Sequence, residues 1–189
     1  MKVLIETSAR HVHLCSEDIK ALFGKDAELI IKKGLSQTGE YACTQRVNIV
    51  GPKGQIENVG IIGPQREKTQ VEISLSDARK LGINAPVRLS GDIESSAGCR
   101  LVSEFGIVDI QSGVIAAKRH VHLDTKTAMQ NNIKNRQNIS VKITTESRSL
   151  IFNDVIARVS DQASPAMHID TDESNAAGIN GLVYGEIIV

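Results

Sequence analysis

The sequence predicts a mainly β protein: two consecutive β-barrel domains from an internal duplication, with short capping helices. Three observations carry that expectation. Short Val- and Ile-rich segments recur along the chain, punctuated by Gly, Pro and Asn, as in many-stranded closed sheets. Helical patterns are few and short. The pentapeptide Arg10-His11-Val12-His13-Leu14 returns as Arg119-His120-Val121-His122-Leu123, and a repeat of that kind invites a search for a longer one.

In chain order, Val3-Leu4-Ile5 opens a strand ahead of the first pentapeptide. Ser16 is the expected N-cap of a helix with Glu17 and Asp18 in its first turn and Ile19, Leu22 and Phe23 as its apolar stripe. Strands are expected at 27–33, 46–50, 55–61 and 69–74, with Gly51-Pro52 and Gly63-Pro64 as turns. Residues 87–90 follow as another strand. Val114-Ile115-Ala116-Ala117 is the strand ahead of the second pentapeptide, and Asp124 or Thr125 caps a helix through Ala128 and Met129. Strands at 139–143, 149–151, 155–159 and 182–189 complete the set. Gln111-Ser112-Gly113 interrupts the pattern, so the halves are placed at 1–110 and 111–189, with strands free to exchange between them.

The two halves also end alike. The run from Val71 to Gly82-Ile83-Asn84 parallels the run from Met167 to Gly178-Ile179-Asn180. Each reads as a strand, an N-capped short helix and a glycine C-cap. Aligned on Gly-Ile-Asn, Glu72 falls on His168.

Composition narrows the chemistry. With 22 basic and 22 acidic residues the net charge is zero, so no global field draws the chain to nucleic acid or an acidic membrane. Aromatics supply only 3%, which leaves Val, Ile, Leu and Ala to build the core. Cys15, Cys43 and Cys99 are odd in number and widely spaced, which offers neither a zinc ribbon nor a disulfide framework. Reduced thiols and no membrane-length apolar run point to a soluble cytoplasmic protein.

All five histidines fall in the repeated landmarks. On a strand, residues two apart share a face, so each His-x-His presents two imidazoles together, a ready pair for zinc or a similar metal. The expected ligand sets are His11, His13 and Glu72 in one half and His120, His122 and His168 in the other. Three ligands leave a coordination position open for water or substrate. Around a dication, two imidazoles and one carboxylate leave net +1 and three imidazoles leave net +2, both attractive to anions. Packing histidines are the bland alternative, which the paired copies make the poorer reading. Arg66, in the turn before Glu72, is either a phosphate clamp or a solvated turn residue. Gln70 shares a strand face with Glu72. Arg158 is either a second anion contact or a surface charge. Arg10 and Arg119 face away from the histidines on an ideal strand and are taken as structural. His11-x-His13-x-x-x-Glu17 matches a cupin spacing, but Glu17 belongs to a helix first turn and has no counterpart in the second copy.

These segments together resemble the PduL-type phosphate acyltransferases over nearly the whole chain: Ser8 to Leu14, Gly63-Pro64 through Thr69 to Ser74, Val87 to Asp92, Lys118 to His122 and His168 to Glu173. The resemblance implies two β-barrels with a two-zinc site. It implies reversible transfer of an acetyl or propanoyl group between coenzyme A and inorganic phosphate. The partners would be acyl-CoA, CoA, phosphate and acyl phosphate, with no nucleic acid, no membrane and a possible homodimer. It assigns the two ligand sets to two zinc ions, makes Arg66 the phosphate-binding arginine, and places Gln37, Gln70, Ser90 and Arg158 in the pocket. Ser90 is a candidate oxyanion donor, and phosphate would attack the thioester directly. The chain starts almost at its first strand, without the extension that targets relatives to microcompartments, which favours a cytosolic acetate-type enzyme. A dinuclear metallohydrolase of phosphoesters and a metal-stabilised, non-catalytic binding module are the alternatives.

Overall fold

A computed structural model describes residues 1–189 as fourteen strands and four short helices. In chain order these are β1 (Lys2–Thr7), β2 (His11–His13), α1 (Ser16–Phe23), β3 (Ile31–Gly34), β4 (Tyr41–Val50), β5 (Gln55–Gly63), β6 (Gln70–Glu72), α2 (Leu75–Leu81), β7 (Val87–Arg88), β8 (Ala97–Val102) and β9 (Ile107–Ala117). They continue with β10 (His120–Leu123), α3 (Thr125–Gln130), β11 (Asn138–Ile143), β12 (Leu150–Val159), β13 (Ala166–Ile169), α4 (Thr171–Ala176) and β14 (Val183–Ile188). No helix is long and apolar enough to cross a membrane.

The strands form two compact units that interleave along the chain rather than dividing at a single cut. Unit 1 comprises Met1–Ser8, Ser36–Thr38 and Lys118–Val189; unit 2 comprises Ala9–Leu35 and Gly39–Ala117. In unit 1 the strands close in the order β1-β13-β10-β12-β11-β14. In unit 2 a ring closes through β4-β5-β2-β6-β9-β8 and back to β4, with β3 outside β4 and β7 beside β9. The mainly β, two-barrel expectation therefore holds.

The rings share one wiring. β2 lies between β5 (parallel) and β6 (antiparallel), and β10 lies between β12 (parallel) and β13 (antiparallel). β6 runs parallel to β9, and β13 runs parallel to β1. Thus the strand preceding each His-x-His pair completes the other ring. Each ring is filled by aliphatic side chains, Leu14, Leu22, Ile49, Ile61 and Leu101 in unit 2 and Val121, Leu123, Ile143, Met167 and Ile169 in unit 1, all essentially fully buried.

The short helices cap as their sequences suggest, with one exception. Ser74, Asp124 and Asp170 each accept from the backbone N–H three residues on, and Asp170 with Glu173 completes a reciprocal capping box. At α1 the N-cap is Cys15, and Ser16 is the first helical residue. Thr69 Oγ1 accepts from the Cys15 N–H at 3.0 Å and donates to the Asp18 carboxylate, so this helix start is fixed by the residue just ahead of β6 rather than by a cap of its own. Arg10 pairs with Asp77 in α2, and Arg119 with Glu173 in α4, each tying a His-x-His strand to the helix behind it.

Three strand expectations change. Residues 27–33 are strand only from Ile31, because the Ile30 N–H is taken by the Gln45 side chain. The segments 149–151 and 155–159 are one strand, β12, which continues through Asp154 at a φ of 56°. Residues 111–113 lie inside the continuous β9, where Gly113 adopts φ 135° and its N–H is taken by Ser96 Oγ. A glycine that reads as a break in sequence bends a strand here without ending it.

Candidate metal centres

In unit 2, β2 and β6 are in register with His11 opposite Glu72 and His13 opposite Gln70. Both rings and the carboxylate therefore share one buried face. His11 Nδ1 lies 2.8 Å from the Ala9 carbonyl and His13 Nδ1 lies 3.0 Å from the Ile62 carbonyl. A carbonyl only accepts, so each Nδ1 carries the proton and each Nε2 keeps its lone pair. These Nε2 atoms lie 3.5 and 3.9 Å from the Glu72 carboxylate oxygens. Burial, with help from His11 and Arg66, lowers the His13 pKa to about 3, which keeps that ring neutral. Burial pushes Glu72 up, but His11, His13, the Ser90 hydroxyl and Arg66 outweigh it and hold the carboxyl below its usual range.

In unit 1, His120 and His168 are register partners on β10 and β13. His120 Nδ1 is tied to the Lys118 carbonyl at 2.9 Å, and its Nε2 lies 3.1 Å from His122 Nε2. The His168 ring stands edge-on to both others. Burial, then His120, His168 and Arg158, lowers His122 to about 3.

In each set the candidate ligand atoms lie within 4.8 Å of one another. Neutral imidazoles with one carboxylate, or three imidazoles, fit a borderline divalent ion such as zinc. The two expected triads are thus brought together as geometry, His11, His13 and Glu72 in one unit and His120, His122 and His168 in the other.

The remaining expected site residues divide. Arg66 Nη1 donates to Ser90 Oγ at 3.0 Å, which joins the turn before β6 to the segment after β7. Gln70, only 1% exposed, donates through Nε2 to Glu72 Oε1 at 2.6 Å and to Ser90 Oγ at 3.0 Å, and its Oε1 accepts from the Gly91 N–H at 2.7 Å. Gln70 is therefore a strut behind Glu72, its amide wholly engaged by protein. Gln37 exchanges two hydrogen bonds with the backbone of Ser164 and clasps Ser36–Thr38 to unit 1. Arg158 is the register partner of His122 and lies on its face of the sheet. Sequence reasoning missed Glu6, whose Oε2 lies 2.9 Å from His168 Nε2. Its only signal was a carboxylate at the end of an apolar strand.

The chain is similar to named proteins over most of its length. A family model described as phosphate propanoyltransferase matches residues 4–180. A phosphate propanoyltransferase of Enterococcus faecalis is 45% identical over 184 residues, covering 97% of this chain and 87% of the relative. Proteins of the same name from Listeria monocytogenes and Citrobacter freundii are 47% and 50% identical, covering 98% and 90% of this chain and 87% and 81% of their own lengths.

Proposed function

The chain belongs to the phosphate propanoyltransferase family, and from that membership we propose that it is a phosphate acyltransferase. It moves a short acyl group, acetyl or propanoyl, reversibly between coenzyme A and inorganic phosphate. The observation that carries the reading is the Glu72–Gln70–Ser90–Arg66 chain of hydrogen bonds, which joins a histidine–carboxylate cluster to a guanidinium within one barrel.

In this mechanism Arg66 clamps phosphate through paired N–H donors and aims one oxygen at the thioester carbonyl. A C–O bond forms, the carbonyl becomes a tetrahedral oxyanion, and the C–S bond breaks to release coenzyme A as its thiolate. Ser90 accepts from Arg66 and Gln70, so its own proton, shared with Glu72 at rest, turns toward the oxyanion. Zinc held by His11, His13 and Glu72, with a second ion on His120, His122 and His168, would supply positive charge that lowers the pKa of a thiol or an oxyanion. Gln70 fixes the Glu72 carboxylate throughout, and Arg158 adds a cationic group beside His122. No acyl-enzyme is required.

The test is to incubate the protein with acetyl- or propanoyl-CoA and phosphate, following thiol release and trapping acyl phosphate with hydroxylamine. Acyl phosphate is the expected product, and Arg66→Ala should raise the phosphate KM by roughly 10–100-fold, from the loss of one charge-assisted contact. Release of free carboxylate with no acyl phosphate would overturn the reading in favour of a hydrolase.

A further inference from the structure

The two clusters differ in what fixes their third member. In unit 2 the third member is a carboxylate, an acceptor, and the group behind it is a donor: Gln70, two residues earlier on the same strand. In unit 1 the third member is an imidazole, and the position two residues earlier is Ala166, which has nothing to offer. The complementary group comes instead from the neighbouring strand. β1 and β13 pair with Glu6 directly opposite His168, so both side chains stand on one face, and Glu6 Oε2 lies 2.9 Å from His168 Nε2. Glu6 is itself held, since Ser36 Oγ donates to the same oxygen at 2.5 Å. At the matching place in unit 2, opposite Glu72, stands the fully buried Ile115. Each unit thus supplies its third member with a partner of opposite hydrogen-bonding sense, from the same strand in unit 2 and from the neighbouring strand in unit 1.

A carboxylate can only accept, so the His168 proton sits on Nε2 and the lone pair of the neutral ring lies on Nδ1. At His11, His13 and His120 backbone carbonyls hold the proton on Nδ1 instead. We propose that Glu6, braced by Ser36, is a positioning residue that sets the tautomer and angle of His168, so that this ring presents Nδ1 to a cation where His120 presents Nε2. This rests on the reading of both clusters as cation sites, and it goes beyond that reading by giving the trio a mixed tautomer and a dedicated orienting carboxylate. Because Glu6 reaches the ring from β1, the arrangement is complete only when β1 is seated in unit 1.

The experiment uses the full chain as wild type, Glu6→Gln, Glu6→Ala and Ser36→Ala. Long-range nitrogen–proton NMR of the metal-free protein reads the His168 tautomer, zinc competition titration reads the affinity of each bound ion, and thermal melting checks the fold. Wild type should show His168 protonated on Nε2 and take up two ions. In Glu6→Ala, at a melting temperature close to wild type, the Nε2–H signature should be lost and one ion should bind about 10–100-fold more weakly. Glu6→Gln keeps a carbonyl acceptor and should restore most of that loss, while Ser36→Ala should move affinity the same way by less, and it serves as the probe should Glu6→Ala fail to fold. Unchanged tautomer and unchanged affinity for both ions in Glu6→Ala, or in Ser36→Ala where Glu6→Ala does not fold, would overturn the inference alone. A wild-type protein that takes up no second ion would overturn the cation-site reading beneath it.

Discussion

Replacing Gln70 by leucine removes three hydrogen bonds made by a side chain that is almost wholly enclosed. The Gln70 side-chain amide donates to Glu72 Oε1 at 2.6 Å and to Ser90 Oγ at 3.0 Å and accepts from the Gly91 N–H at 2.7 Å, in a residue only 1% exposed. Leucine fills nearly the same volume but takes the amide donor from the buried Glu72 carboxylate, while Ser90 Oγ keeps Arg66 and the Gly91 N–H belongs to an exposed residue. At about 1.5–3 kcal/mol for the bond to the carboxylate and about 0.5–1.5 kcal/mol for each of the other two, the gross cost is about 2.5–6 kcal/mol. Burial of the leucine returns about 1.5–2 kcal/mol. The net loss of roughly 1–4 kcal/mol corresponds to a drop of about 2–16 °C in the melting temperature of a chain of this size. Thermal melting of the metal-free protein, followed by circular dichroism, measures it. Gln70→Glu is the sharper companion, since it sets a second carboxylate against Glu72 Oε1 and the pair can ionise fully only at a cost. Its stability should fall as pH rises and the second carboxyl loses its proton. A Gln70→Leu melting temperature within 2 °C or so of wild type would refute the strut.

Other outcomes follow from the same geometry. His13→Ala or Glu72→Ala should each lower bound zinc from two ions to one per chain by elemental analysis, while His122→Ala should remove the other ion; loss of neither would count against the assigned triads. His13 and His122 are held down to about 3, chiefly by burial, against an ordinary 6.5. Below 6.5 the unfolded chain takes protons that the folded chain refuses until about 3, so the metal-free protein should lose stability as pH falls through that window. The ceiling is about 5 kcal/mol per ring, and denaturant titration at pH 7.5 and pH 5 reads it; equal stability at the two values would contradict the sign. Gly98→Ala would bring a Cβ to 2.2 Å from the Ile110 carbonyl across β8 and β9. That backbone clash should cost about 1–3 kcal/mol and show as an earlier denaturant midpoint.

The sequence exposed the sites more readily than the rings that hold them. An i, i+2 histidine pair is legible because strand geometry alone places both rings on one face, and the Gly-Ile-Asn register aligned Glu72 with His168 because helix caps have strict local chemistry. β8 was not legible: Ala97-Gly98-Cys99-Arg100 has no clear alternation, and Gly98 is there for close backbone approach, a property of its partner strand. Glu6 escaped for a similar reason, since only the register of β1 with β13 gives it a partner. Gln37 is placed in the pocket only by the family resemblance, and its amide is spent on the Ser164 backbone, a contact more than a hundred positions away in the chain.

The borrowed first strand also fixes an order of events during synthesis. Lys2–Thr7 is made well before its two neighbours, Ala166–Ile169 and Val183–Ile188, which lie about 160 and 180 positions later in the chain. At typical elongation rates that opening segment must wait roughly 10–30 s with its edges unpaired. Apart from Ser36–Thr38, every residue between Ala9 and Ala117 belongs to unit 2, so that barrel can shut while translation continues. The histidine trio of unit 1 is therefore assembled only after Ala166–Ile169 has been made, when the unit 2 residues are already complete.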